Sequence, residues 1–286
     1  MPVKFLTYGN YIYVPILATV IWLGNLLGLL LWWLVADDSR LYERDEPNVV
    51  FISDVGAAHK PFFIAMNALT WFFYVLSLLC ERWLRHVDRI PGTVRSRERT
   101  FDILAIVFAF IAGGALTFLA IFDAFHHSNA HWSLTLVFIV GVALSAIFQT
   151  AEVHALARDH PDRKHLKRNM WFKLFIVVLA IAGAICFGGS YAWCGGDRTG
   201  TRSHCNRVSS VAAVFEWSIA LLFDIYLATF ILDLWPAAKT SPRHLRRLER
   251  QRREKGLLDA NSLEHGYPDN HSNSLTGEPP MRQQGY

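Results

Sequence analysis

The chain is 286 residues long, 52% hydrophobic and 18% charged, with a formal net charge of +4. So small a surplus of 28 basic over 24 acidic residues does not mark a nucleic-acid partner. No connector between the apolar runs is long enough to form a separate soluble domain, so function has to come from those runs, their short connectors or the tail.

Six apolar runs follow one another: Tyr11 to Ala36, Phe62 to Leu84, Ile103 to Phe122, Trp132 to Ala151, Trp171 to Trp193 and Val211 to Trp235. Each holds about the 20 residues that a rise of ~1.5 Å per residue needs to cross ~30 Å of hydrocarbon. Hydrocarbon offers the backbone no water, so segments this apolar are expected to span as helices whose amides pair internally. The expected fold is all-α, a polytopic integral membrane protein built as a six-transmembrane-helix bundle. Trp32, Trp33, Trp83, Trp132, Trp171, Trp193 and Trp235 fall near the ends of the runs, where an amphipathic ring sits at headgroup level.

Basic residues are distributed unevenly between the connectors. Lys4 precedes the first run, and Arg40, Arg44 and Lys60 follow it. Arg82, Arg85, Arg89, Arg95, Arg97 and Arg99 crowd the second connector, the third has none, and the fourth carries Arg158, Arg163, Lys164, Lys167 and Arg168. The fifth holds Arg198, Arg202 and Arg207, and the tail from Lys239 onward is again basic. By the positive-inside rule both termini are expected in the cytoplasm. The first run is too long for a cleaved secretory signal and no small-residue cleavage pattern follows it.

Ionisable groups inside a bilayer are costly, which makes each a question of what it faces. Asp224 lies about midway along the last run, with Glu216 some two turns nearer the outer face and ~80° around the helix, so both are expected to point into the bundle. Asn25, at similar depth in the first run, is a candidate partner for Asp224. Near the outer face Asp54, Asp123, His126, His127, His131 and Glu216 are candidates to converge, a set suited to acid–base work on a lipid headgroup or to a divalent metal. No H-E-x-x-H, G-x-S-x-G or C-x-x-C spacing selects that chemistry, so no catalytic residue, metal or cofactor is expected. Gly24 with Gly28, Ala109 with Gly113 and Ala184 with Gly188 form small-residue pairs that let helices approach closely, in packing or in self-association.

Cys194 and Cys205 sit together in the fifth connector, on the side expected to be oxidising, and are expected to form a disulfide. Cys80 and Cys186 are expected to be small buried residues, although Cys80 also suits palmitoylation. Two domains are expected, a membrane domain over residues 1–236 and a tail over 237–286. The tail begins with a basic, helical stretch containing Arg243, Arg246, Arg247, Arg250, Arg252 and Arg253, which is expected to attract anionic inner-leaflet lipids at ~1 kcal/mol per basic residue. Beyond Gly256 it is polar and expected to be disordered.

Several short strings recur in a telling order relative to the runs. Phe51-Ile52-Ser53-Asp54-Val55-Gly56-Ala57 precedes the second, Phe101-Asp102-Ile103-Leu104 enters the third and Phe122-Asp123 leaves it. Phe148-Gln149 with Glu152 ends the fourth, and Phe215-Glu216-Trp217 and Phe223-Asp224 lie in the sixth. In this order they resemble the Frag/DRAM/Sfk family of six-span membrane proteins, and most closely its fungal suppressor-of-four-kinase branch. The resemblance covers about Tyr11 to Trp235. It implies a non-enzymatic plasma-membrane regulator or scaffold that supports phosphatidylinositol 4-kinase recruitment, phosphatidylinositol 4-phosphate levels and phospholipid asymmetry. Membrane lipids and a phosphatidylinositol 4-kinase complex are the implied partners, and Asp54, Asp123, Glu152, Glu216, Asp224 and Asn25 are the candidate lipid- or partner-binding positions. The same superfamily includes remodelling factors of glycosylphosphatidylinositol anchors, so a lipid-remodelling enzyme of internal membranes is the alternative. Transport through Asp224 is a third.

Overall fold

In a computed structural model the apolar runs become six long helices, and residues 10–43, 46–87, 90, 96–159, 164–194, 203–238, 250 and 253–254 are described. Helix α1, Tyr13–Leu31, follows a 3-10 turn at Asn10–Ile12 and continues into a π turn at Trp32–Ala36. A short helix α2, Ile52–Ala58, precedes α3, Lys60–His86. Then come α4, Ser96–Ile121, α5, Ser128–Asp159, α6, Lys164–Trp193, and α7, Ser203–Ala238. The six long helices are each long and apolar enough to cross a membrane, and no strand occurs among the described residues.

The helices overrun the apolar runs. α4 begins at Ser96 rather than near Ile103, and α5 extends past Trp132 and Ala151 in both directions. Once nucleated, a helix gains one hydrogen bond per added residue and has no reason to stop where the side chains turn polar. Arg97, His154 and Arg158 therefore ride on rigid helix, and His131 belongs to the first turns of α5 rather than to a connector.

The spans form a ring in chain order: α1 packs on α3, α3 on α4, α4 on α5, α5 on α6 and α6 on α7, and α7 returns to α1. An aromatic cluster fills the centre, with Trp22 5.5 Å from Phe223, Tyr74 5.7 Å from Phe223 and 6.0 Å from Phe230, all by ring centroid. The Trp22 indole donates to the Ala220 carbonyl at 2.8 Å, satisfying its one polar atom. Many span hydroxyls are used locally: Thr19, Thr70, Ser77, Thr117 and Thr150 each donate to the carbonyl four residues earlier.

Two of the three small-residue pairs seat a neighbouring side chain. Gly24 and Gly28 of α1 face Met66 and Phe62 of α3, and Gly113 of α4 takes the Trp71 ring. The third pair does not. Gly188 is exposed with nothing near it, Ala184 lines a cavity, and it is Gly183 that meets Ile219 of α7. The chain divides into units Met1–Thr240 and Ser241–Tyr286. In the second, Arg250 and Arg253 are exposed on helical backbone, while Arg243, Arg246, Arg247 and Arg252 lie outside the described residues.

Candidate functional site

The polar residues sort into three levels. At the end carrying Asp123, three separate knots tie connectors to helices. Asp37 accepts hydrogen bonds from the Tyr42 hydroxyl at 2.7 Å and Arg40 at 3.3 Å, and its Oδ2 lies 2.9 Å from His59 Nε2, whose ring stacks on Trp32 at 4.3 Å. The Tyr42 and His59 contacts hold the Asp37 carboxyl below its ordinary range, and burial together with Asp37 pushes the Tyr42 phenol up. In the second knot Asp123 accepts from Lys60 at 2.7 Å and from the His126 amide at 2.8 Å, with the His126 ring nitrogen at 2.9 Å. Burial opposes ionisation of Asp123, but the hydrogen bonds from Lys60 and His126 outweigh it and hold the carboxyl below its ordinary range.

The third knot joins the start of α2 to α7. Glu216 accepts the Ile52 amide hydrogen at 2.7 Å, and the Trp217 indole donates to the Val50 carbonyl at 3.1 Å. An anion at a helix N-terminus satisfies an otherwise unpaired amide and meets the positive end of the helix dipole. Asp54 is buried on the same short helix, and buried Glu46 accepts the Tyr42 amide hydrogen at 2.6 Å. Burial and the Asp54 charge push the Glu46 carboxyl up to about 7. Asp123 and Glu216 thus serve different knots. His131 is buried, with Nδ1 2.9 Å from the Leu119 carbonyl and 3.0 Å from that of Phe122. Since carbonyls only accept, Nδ1 carries the proton.

At mid-depth, Asn25 donates to Asn67 at 3.0 Å, so its amide joins α1 to α3 instead of meeting Asp224. Asp224 is buried on α7 with one carboxylate oxygen lacking a hydrogen bond.

Toward the end carrying Arg85 lies a charge lattice that hydropathy does not reveal. Arg85 of α3 pairs with Glu81 on its own helix and with Glu152 of α5 at 3.3 Å, and Gln149 donates to Glu81 at 2.7 Å. Arg82 pairs with Asp102 of α4 at 2.5 Å. Lys173 of α6, fully buried, lies 2.5 Å from Asp233 of α7 and 4.1 Å from the Phe230 ring centroid, and Asn169 donates to Asp233 at 3.3 Å. Glu152 therefore belongs to a buried network that ties α5 to α3, while Arg82–Asp102 ties α3 to α4 and Lys173–Asp233 ties α6 to α7. The signal for it was present as Lys173 and Asp233 within apolar runs and as the Glu81–Arg85 spacing of four.

Between α5, α6 and α7 sits a cavity of about 460 Å³. Its walls are apolar, with Phe138, Val177 and Phe223 among them, and Ser53, His131 and Glu216 bring polar groups to its lining. That volume lies in the range of small-molecule sites. Cys194 and Cys205 form a disulfide with 5.8 Å between Cα atoms. His204 lies beside it, and because both sulfurs are used by the bridge, the three residues offer no thiolate ligand set.

The strings that stood apart in sequence meet in space. Ile52 of the first touches Glu216 of the last, and Phe101 stacks on Phe148 at 6.2 Å. The family model described as the Frag1/DRAM/Sfk1/Cwh43P N-terminal domain matches residues 10–237. The chain belongs to this family. The Frag1-type region takes in all six spans and ends at the basic tail. Over 227 residues the chain is 33% identical to Protein sfk1 of Schizosaccharomyces pombe, covering 79% of this chain and 64% of that protein, less than two thirds of its length. It is 23% identical to Protein SFK1 of Saccharomyces cerevisiae over 301 aligned residues, covering 82% and 80% of the two chains. No solved structure matches it significantly. The sequence and its relatives support an integral membrane protein of the Sfk branch of the Frag1 family.

Proposed function

We propose that the protein is a non-enzymatic membrane regulator that supports phosphatidylinositol 4-kinase recruitment and phospholipid asymmetry at the plasma membrane, with both termini in the cytoplasm. The observation that carries this is how the polar groups at the end carrying Asp123 are used. Asp37, Asp123 and Glu216, each a candidate acid or base by residue type, are held by neighbours that they lock in place. A general base needs reach to a substrate proton, and groups spent on capping a helix or fastening a connector serve architecture instead. The apolar cavity that Glu216 lines suits a lipid chain. The membrane domain over 1–236 acts as the lipid-engaging body, and the tail over 237–286 as a basic arm for anionic lipid or a kinase assembly.

The test is to follow a phosphatidylinositol 4-phosphate sensor and the tagged protein in cells with and without it, together with exposed phosphatidylethanolamine. Loss of the protein is expected to lower the plasma-membrane sensor signal and raise the exposed lipid. No change in either overturns the reading. Turnover of a glycosylphosphatidylinositol or sphingolipid intermediate by purified protein, abolished by Glu216→Gln or Asp123→Asn, would replace it with the remodelling enzyme.

A further inference from the structure

A second cavity, of about 440 Å³, opens between α4, α5 and α6 at the end carrying Arg85. Its lining changes character with depth. Arg158 and His154, one turn apart on α5, and Arg97 of α4 stand at one end, all exposed. Ile147 of α5 with Leu174 and Val177 of α6 line the other, all within the spans. From Arg158 to Ile147 the helix rises roughly 16 Å at ~1.5 Å per residue, so the groove runs from a cationic rim well into the hydrocarbon.

Arg82 and Arg85 of α3 and Lys173 of α6 each have a carboxylate partner, whereas among the described residues Arg97 and Arg158, like exposed Arg99, Lys167 and Arg168, have none; what sets Arg97 and Arg158 apart is that both line this groove together with His154. Two guanidiniums and an imidazole above an apolar wall match a ligand with a multiply charged anion at one end and a chain at the other. Guanidinium binds phosphate oxygens through paired donors, and basic pockets between transmembrane helices take phosphorylated headgroups. We infer that this groove is a binding site for a single membrane phospholipid whose headgroup carries a phosphate monoester, with the phosphate held by Arg97, His154 and Arg158 and an acyl chain lying along Ile147, Leu174 and Val177. Phosphatidylserine, with one net negative charge and an ammonium that the cationic rim repels, binds more weakly. Its lining comes from α4, α5 and α6, and it gives the regulator proposed above a place to sense anionic lipid. It rests on that reading only for its role in the cell.

The full chain in phosphatidylcholine nanodiscs, doped with phosphatidylinositol 4-phosphate or with phosphatidylserine at equal mole fraction, tests this by native mass spectrometry of retained lipid. Wild type is expected to retain the phosphoinositide at least tenfold over phosphatidylserine. R97Q/R158Q is expected to lose at least tenfold, and Ala151→Phe, which fills the groove and leaves both arginines in place, to lose as much. Soluble inositol phosphate at the same concentration is expected not to displace the lipid. Undiminished retention in R97Q/R158Q or in Ala151→Phe, equal retention of the two lipids, or displacement by the soluble headgroup each overturns the site. Should the double variant fail to fold, Ala151→Phe decides alone. Kinase recruitment in cells is a separate readout, so a failed regulator reading and a failed lipid site are distinguishable.

Discussion

Glu216 Oε2 accepts the amide hydrogen of Ile52 at 2.7 Å across 164 residues of sequence. The bond fixes the first turn of α2 against the middle of α7, and the Trp217 indole reinforces it at the Val50 carbonyl. Because Ile52 itself is buried, its amide has no ready replacement in water.

Glu216→Ala is accordingly expected to lower stability by about 1–3 kcal/mol, the cost of leaving a buried donor unsatisfied. Glu216→Gln keeps an acceptor oxygen and is expected to cost less. Thermal unfolding of the detergent-solubilised protein checks both, and equal effects of the two variants would remove the capping role.

Lys173 and Asp233 are expected to behave as a unit. Breaking a buried pair by removing one partner costs about 3–5 kcal/mol, because the remaining charge stays uncompensated. Lys173→Met alone should therefore be severe, and Lys173→Met with Asp233→Leu should recover much of the loss. A double-mutant cycle on the unfolding midpoint measures the coupling, and additive effects would contradict it.

Stability should depend on pH through two carboxyls of opposite sign. Glu46 is raised from 4.5 to about 7, so its contribution is fully present below the unfolded value and is lost as pH rises toward about 7. Glu46→Gln is expected to flatten that limb. Asp123 is lowered from 3.8, so its contribution is present at neutral pH and is lost as pH falls through the acid range below about 4. Asp123→Asn should destabilise at pH 7 and shrink the acid limb. Unfolding curves from pH 3 to pH 9 separate the two.

Two glycines offer opposite expectations for one substitution. A Cβ at Gly113 would collide with the Trp71 ring, so Gly113→Ala is expected to destabilise by roughly 1–3 kcal/mol as the ring is displaced. Gly188 faces open space, and there alanine is expected to be neutral or to stabilise by up to about 1 kcal/mol through helix propensity. Thermal shifts of the two variants with the same sign would show that these environments are misassigned.

The spans were legible because crossing hydrocarbon constrains every residue of a run, and composition over some twenty positions records that constraint. The Cys194–Cys205 bridge was legible from proximity in one short connector. The partners of the polar residues were not. Depth along a helix suggested Asn25 for Asp224, but azimuth decides partnership, and Asn25 faces Asn67. The Asp37, Tyr42 and His59 knot has no signature in sequence, because a connector of polar residues carries no periodicity that tells which side chains meet.

By itself the sequence determined the solvent this protein lives in, the number of its crossings and its family, since transfer free energy depends on composition and the family strings on local order. Only the tertiary structure decided that the crossings close into a ring, that Lys173 finds Asp233, and that Arg97 and Arg158 rim one groove. Those outcomes depend on helix rotation and neighbour choice, which pairwise contacts between distant segments set and a linear pattern of apolar residues leaves open.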